Sequence, residues 1–199
     1  TTYTANLASD IKDNLRKICT LDEIRRIDVI NLDAWVSQFL REHGFPDEIV
    51  YEEKADNLWE EAVTGTDFSG EFPVSFYEKE YNRVVVAQEA FSLEKYVKAS
   101  RTGRGTRLDR KKRMQIWKVF EAYQNLMKEN QVRDINTAMY ECRLLIEKIS
   151  SKTRYKHVIV DEGQDLSANA FRLLRSIAGE EHENDIFIVG DAHQRIYKN

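Results

Sequence analysis

His157-Val158-Ile159-Val160-Asp161-Glu162-Gly163-Gln164-Asp165 is the stretch on which the reading of the fold turns. A short apolar run that ends abruptly in two adjacent acids reads as a buried strand delivering carboxylates to its C-terminal edge. Ligands of open parallel sheets bind just beyond that edge. Asp161 is placed to hold a hard cation such as Mg2+, directly or through water, and Glu162 to take a proton from an attacking water. Taken alone, the same residues also describe a strand with a solvated acidic end.

Outward from this stretch, Ser167 caps a helix carrying Phe171, Leu174 and Ile177, and Gly179 stops it. Asp185-Ile186-Phe187-Ile188-Val189 is a second buried strand, ending at Gly190-Asp191. Two apolar strands around one helix make a βαβ unit with a right-handed crossover. That unit sets Asp161, Glu162, Asp191 and Gln194 along one sheet edge. Gln194 both donates and accepts hydrogen bonds, which suits contact with a phosphate and its attacking water. Upstream, Asp134 caps a helix whose stripe is Ile135, Met139, Cys142, Leu145 or Ile146, and Ile149.

The other end of the chain has the same rhythm. Thr1 to Thr4 favours β structure, and Thr4 is placed to cap a helix over Ala5 to Ile18 with Leu7, Ile11, Leu15 and Ile18 at helical spacing. Arg26 to Asn31 alternates polar and apolar, as a second strand would. Asp33 then caps a helix to Glu42 that buries Trp35 or Val36, Phe39 and Leu40, with Gly44 and Pro46 ending it. Strands alternating with helices at both ends predict a layered α/β sheet.

The middle lacks that rhythm. Residues 47–82 are acidic and aromatic, and Phe76 to Val86 reads as extended around Val84-Val85-Val86. A helix follows over Leu93 to Ala99, then the loop Arg101-Thr102-Gly103-Arg104-Gly105-Thr106-Arg107-Leu108, then a longer helix over Arg110 to Glu129 with Ile116, Phe120, Tyr123 and Met127 on one face. We therefore expect core segments at 1–45 and 133–199, interrupted by an inserted, mainly helical subdomain at 46–132.

The net charge is −4, yet cations outnumber acids by eight between Glu94 and Lys118. Arg101, Arg104 and Arg107 recur every third residue of the loop. Lys111, Lys112 and Arg113 follow at a helix start, where the dipole disfavours cations. A polyanion-facing surface accounts for this asymmetry, and pairing with the acidic 47–80 segment is the alternative. With 42% hydrophobic and 32% charged residues, the 199-residue chain reads as soluble and globular. It has no apolar run of membrane-spanning length and no secretory signal. Cys19 and Cys142 lack metal-ligand spacing and read as free thiols, which predicts a cytoplasmic setting.

The outer motifs resemble those of the UvrD/Rep/PcrA-like superfamily 1 helicases. VIVDEGQDLS (158–167) looks like their Walker B motif II, DExQD, and VGDAHQRIY (189–197) like their motif III. TTYTANLA (1–8) is similar to motif Ia, and Ile30 to Trp35 sits where motif Ib falls. The GRGT loop and the helix after it resemble an accessory subdomain inserted into the first RecA-like domain. The resemblance implies a partial RecA-like P-loop NTPase parallel sheet with helices on both faces. It implies ATP and Mg2+ as cofactors, with Asp161 on the metal, Glu162 orienting the hydrolytic water and Gln194 on the γ-phosphate. It further implies that Gln164, Asp165 and Asp191 tie the nucleotide site to neighbouring motifs. Thr2, Tyr3 and Tyr197 fall where the family approaches single-stranded DNA, on which an aromatic can stack; burial between domains is the other reading of the two tyrosines. Arg101, Arg104 and Arg107 would meet DNA phosphates.

Three positions depart from the family pattern: Gly163 stands where alanine is common, Asp33 where motif Ib has histidine, and Asn199 where many members carry tryptophan. No G-x-x-x-x-G-K-[ST] phosphate loop occurs in these residues. We therefore expect a piece of a longer helicase that lacks the Walker A loop and the second RecA-like domain, partners single-stranded or partly duplex DNA, and is inactive by itself. Other readings are a non-catalytic nucleic-acid-binding or protein-docking module on the same fold, and another P-loop ATPase associated with a nuclease or repair.

Overall fold

Ser167 accepts a hydrogen bond from the Ala170 amide and starts helix α9 (Ala168–Ala178), and Gly179 ends it at φ +76°. This helix joins strand β3 (Val158–Val160) to strand β4 (Ile186–Ile188), and the two strands pair in parallel. Val158 faces Ile186, Ile159 faces Phe187 and Val160 faces Ile188. The strand–helix–strand unit expected from the sequence is thus present. The burial of β3 is one-sided: Val158 and Val160 are buried, whereas Ile159 is 65% exposed, and its partner Phe187 on β4 is 62% exposed. Successive strand residues point to opposite faces, so β3 is closed on the α9 side and open on the Ile159 side. Strand β4 is buried on neither face: Ile186 is half-buried and Ile188, paired with the buried Val160, is 49% exposed. The sequence had suggested strands buried on both faces.

The computed structural model describes residues 5–67, 71–149 and 155–191. The chain divides into two compact units, Thr1–Phe45 with Glu141–Asn199, and Pro46–Tyr140.

In the first unit, helix α1 (Ala5–Ile18) has the bounds read from the sequence, although Ile18 of its stripe is 80% exposed. Helix α2 (Leu21–Ile24) starts in a capping box in which the Thr20 side chain and Glu23 satisfy each other's backbone amides. Arg26 to Ile30 is irregular, and only Asn31 forms a bridge, in place of the expected strand. Asn31 instead caps helix α3 (Leu32–Glu42), accepting from the Asp33 and Ala34 amides at 2.9 and 3.2 Å. The cap is therefore two residues earlier than Asp33. Gly44 at φ +85° lets the Phe45 amide reach the Leu40 carbonyl at 2.9 Å while its own amide reaches that of Arg41 at 3.2 Å. This is a Schellman ending, which satisfies carbonyls the helix leaves open.

In the second unit, strand β1 (Glu48–Val50) pairs in parallel with strand β2 (Val132–Asp134). This pairing ties residues 132–134 to the unit that begins at Pro46, and the division falls inside helix α8 (Ile135–Ile149) instead of at residue 132. Helices α4 (Glu52–Thr64), α5 (Val74–Glu80), α6 (Leu93–Lys98) and α7 (Arg110–Glu129) complete the unit. The α7 face read from the sequence, Ile116, Phe120, Tyr123 and Met127, is buried. Trp59 stacks on Tyr123 with centroids 3.7 Å apart, a pair contributing about 0.5–1.5 kcal/mol beyond its area. Tyr81 to Val86 forms a π-helical turn where the sequence suggested an extended segment. Val84, Val85 and Val86 are all buried there, so packing overrides the β preference of the valines.

Candidate functional site

The β3–β4 pair brings three of the predicted residues to one end of the sheet. Asp161 and Glu162 follow β3 directly, and Asp191 follows Val189-Gly190 at the end of β4. The ladder continues past the strands: the Val189 amide donates to Val160 and the Gly163 amide to Val189, both at 2.8 Å. Asp161 lies on the same strand face as Ile159 and borders a cavity of about 680 Å³ with Ile11, Leu15, Tyr155 and Ile159. Its Oδ1 accepts the Glu162 amide at 3.0 Å. Glu162 has φ +55° and ψ +39°, the left-handed region uncommon for a residue with a Cβ. A short 3-10 turn, Gly163–Asp165, follows.

Within that turn Gln164 makes two contacts. Its Nε2 donates to Glu162 Oε2 at 2.5 Å, and its Oε1 accepts the Asp191 amide at 2.9 Å. At the far end of the unit, Arg175 Nη1 donates to Asp185 Oδ2 at 2.7 Å and Nη2 to the Gly179 carbonyl at 2.9 Å. The Arg175 hydrogen bond holds the Asp185 carboxyl below the usual range. These contacts fasten the turn between α9 and β4, and so fix where β4 delivers Asp191.

Two adjacent, half-exposed carboxylates suit Mg2+, which keeps several waters and takes one or two protein carboxylates beside phosphate oxygens. No cluster of three or more metal-ligating side chains occurs among the described residues. The predicted residues Thr2, Tyr3, Gln194 and Tyr197 lie outside the described residues.

The basic loop belongs to the second unit, and the structure divides its three arginines. Arg101 donates through Nε and Nη2 to the two oxygens of Glu80, and Arg104 Nε reaches Oε2 at 3.0 Å. Tyr96 adds its hydroxyl at 3.2 Å. Glu80 is fully buried, and the Arg101 and Arg104 side chains are only 7% and 13% exposed. Arg101 Nη1 also holds the Thr106 carbonyl, which closes the loop on itself. Burial alone would raise the Glu80 carboxyl, but the hydrogen bonds and charges of Arg101 and then Arg104 outweigh it and hold the group low. Arg101 and Arg104 thus meet a carboxylate of the acidic segment, the second of the two pairings that the sequence allowed. Arg107, Arg110 and Lys111 are exposed. Arg113 Nη1 turns inward to the Tyr96, Val97 and Ala99 carbonyls at 2.8–3.0 Å, satisfying the end of α6.

Sequence reasoning missed Glu80. The signal was its place between Tyr77, Tyr81 and Val84, at helical spacing on an otherwise apolar face. A lone acid there requires a buried cation.

A sequence profile of the UvrD/REP helicase N-terminal domain matches residues 1–198. The chain is similar to DNA helicase IV of Escherichia coli K12, 28% identical over 80 residues. It is also similar to an ATP-dependent helicase/nuclease subunit of Bacillus licheniformis, 32% identical over 84 residues. These matches take in 40% and 36% of this chain, but only 12% and 7% of the two relatives. No described helix is long and apolar enough to cross a membrane.

Proposed function

The chain belongs to the UvrD/REP helicase N-terminal domain family, and from that premise we propose that it is part of an ATP-dependent motor that moves on single-stranded DNA and opens duplexes. The observation that carries the reading is the end of the β3–β4 pair, where Asp161 and Glu162 stand beside Asp191 with Gln164 between them. In this reading Thr1–Phe45 and Glu141–Asn199 belong to a RecA-like core into which Pro46–Tyr140 is inserted.

Asp161 would hold Mg2+, which would supply charge stabilisation for phosphoryl transfer from ATP. Glu162 accepts hydrogen bonds only and so orients the attacking water and takes its proton. Asp165 and Asp191 flank the site, and Gln194 contacts the γ-phosphate. Thr2, Tyr3 and Tyr197 approach single-stranded DNA. On the inserted unit, Arg107 with Arg110 and Lys111 faces DNA phosphates, while Arg101 and Arg104 hold the loop that carries Arg107.

A phosphate loop is needed to cradle ATP, and none occurs in these 199 residues. The purified 199-residue chain is therefore expected to show no DNA-stimulated ATPase, and the full-length protein to lose it on Glu162→Gln. Hydrolysis by the chain alone that Glu162→Gln abolishes would refute the first expectation. Hydrolysis by the full-length protein that survives Glu162→Gln would refute the second, and with it the role of Glu162.

A further inference from the structure

We propose that Gln164 is a positioning residue that makes the orientation of Glu162 depend on the position of the main chain at Gly190-Asp191. The inference rests on the reading of Glu162 given above and adds what controls it.

The geometry is a two-bond bridge. One end of the Gln164 amide donates to Glu162 Oε2 at 2.5 Å, and the other accepts from the Asp191 amide at 2.9 Å. A primary amide is a side-chain group that donates at one end and accepts at the other from a single rigid plane. Glutamate in its place would set acceptor against acceptor at Glu162, and a hydrocarbon of equal length would make neither bond.

The surroundings leave the amide little freedom. The Gly163 amide is already bonded to the Val189 carbonyl at 2.8 Å, so the backbone on both sides of the bridge is held by the sheet ladder. Gly190 provides the room. A Cβ there would overlap Gln164 Oε1 and sit 3.1 Å from the Gln164 and Gly163 nitrogens. Only glycine lets the strand end lie this close against the amide. Glu162 is meanwhile held in the left-handed region, which over-determined surroundings must sustain. A shift of Gly190-Asp191 therefore pulls on Gln164 Oε1, and the rigid amide passes it to the Glu162 carboxylate.

In function, this coupling makes hydrolysis sensitive to events on the β4 side of the site. Whatever repositions the chain after β4 also repositions the acid that orients water. Gln164 touches neither nucleotide nor water in this account.

The test compares Gln164→Met, Gln164→Glu and Glu162→Gln in the full-length protein, with ATP as substrate and single-stranded DNA present. Gln164→Met is expected to lower kcat by about ten- to a hundredfold, the loss of one hydrogen bond to a charged group, with KM for ATP unchanged. Gln164→Glu should lower kcat at least as far. Hydrogen exchange at the Asp191 amide should speed up in Gln164→Met, which removes the oxygen that amide donates to, and the thermal midpoint of both variants should stay near that of the parent protein. Glu162→Gln abolishing hydrolysis while both Gln164 variants keep parental kcat would overturn this proposal alone. A fall in kcat matched by a rise in KM and a lowered thermal midpoint would also overturn it, because Gln164 would then be merely structural. Hydrolysis surviving Glu162→Gln would overturn the role of Glu162, and the proposal with it.

Discussion

Glu80→Ala gives the most quantitative test of the second unit. The side chain is fully buried and accepts from Tyr96, from Arg101 twice and from Arg104. Its removal leaves two guanidinium groups in a site that excludes most water. Breaking a buried pair by deleting one partner costs about 3–5 kcal/mol, because the remaining charge is uncompensated. Two cations share this acid, which pushes the cost up; Arg104 lies nearer solvent and can regain water, which limits it. We expect a loss of about 4 kcal/mol, a large fraction of a typical domain stability of about 5–15 kcal/mol.

Urea unfolding followed by tryptophan fluorescence reads this directly. Trp59 and Trp117 belong to the second unit, and a Trp35→Phe background silences the first. At a slope of about 2 kcal/mol per molar urea, the midpoint falls by about 2 M with the slope unchanged. The pH dependence has a definite sign. The folded carboxyl is held low by Arg101 and Arg104 against the effect of burial, so its contribution is complete above the unfolded value of about 4.3. That contribution is lost as pH falls through the lower folded value. Glu80→Gln should remove this acid limb while keeping the shape. Replacing Glu80, Arg101 and Arg104 together by Met should recover much of the stability, since no charge is then stranded. A loss below about 1 kcal/mol for Glu80→Ala, the value of a solvated surface pair, would refute the reasoning.

Two further outcomes follow from the geometry. Gly190→Ala should displace Gln164, because its Cβ would overlap Gln164 Oε1; faster hydrogen exchange at the Asp191 amide checks this, and unchanged protection would count against the tight fit. Neutralising Arg107, Arg110 and Lys111 to Gln in the full-length protein should flatten the salt dependence of DNA binding, by up to about 0.9 in log–log slope for each phosphate no longer neutralised. An identical slope would remove DNA from that face.

What was legible in the sequence was what short-range chemistry decides. The start of α7 could be read because it is set locally: Asp109 accepts the Lys112 amide at 2.7 Å. The β3–α9–β4 unit was legible because Val158 to Val160 and Ile186 to Ile188 are apolar runs bounded by caps. By contrast, Glu48–Val50 and Val132–Asp134 are three-residue strands with no alternating pattern, and each exists only by pairing with a segment about eighty residues away. Arg26 to Ile30 shows the converse: it alternates as a strand should, yet none of its residues joins a ladder among the described residues. Alternation reports a face, and only a partner makes a strand.

The same limit explains why the arginines were divisible only in three dimensions. Every third residue of the loop is an arginine, and nothing in that spacing separates Arg101 and Arg104 from Arg107. Glu80 separates them, from twenty-one and twenty-four positions away. Glu80 and Glu162 are then held in opposite ways. Glu80 is locked by guanidinium groups that cancel its charge and fix a loop. Glu162 is oriented by the neutral amide of Gln164, which directs a carboxylate without neutralising it. An acid that anchors structure gains from a buried counter-ion. The role proposed for Glu162, acting on water, calls for a charge left uncancelled and a fixed direction, and the Gln164 amide hydrogen bond supplies the second without costing the first.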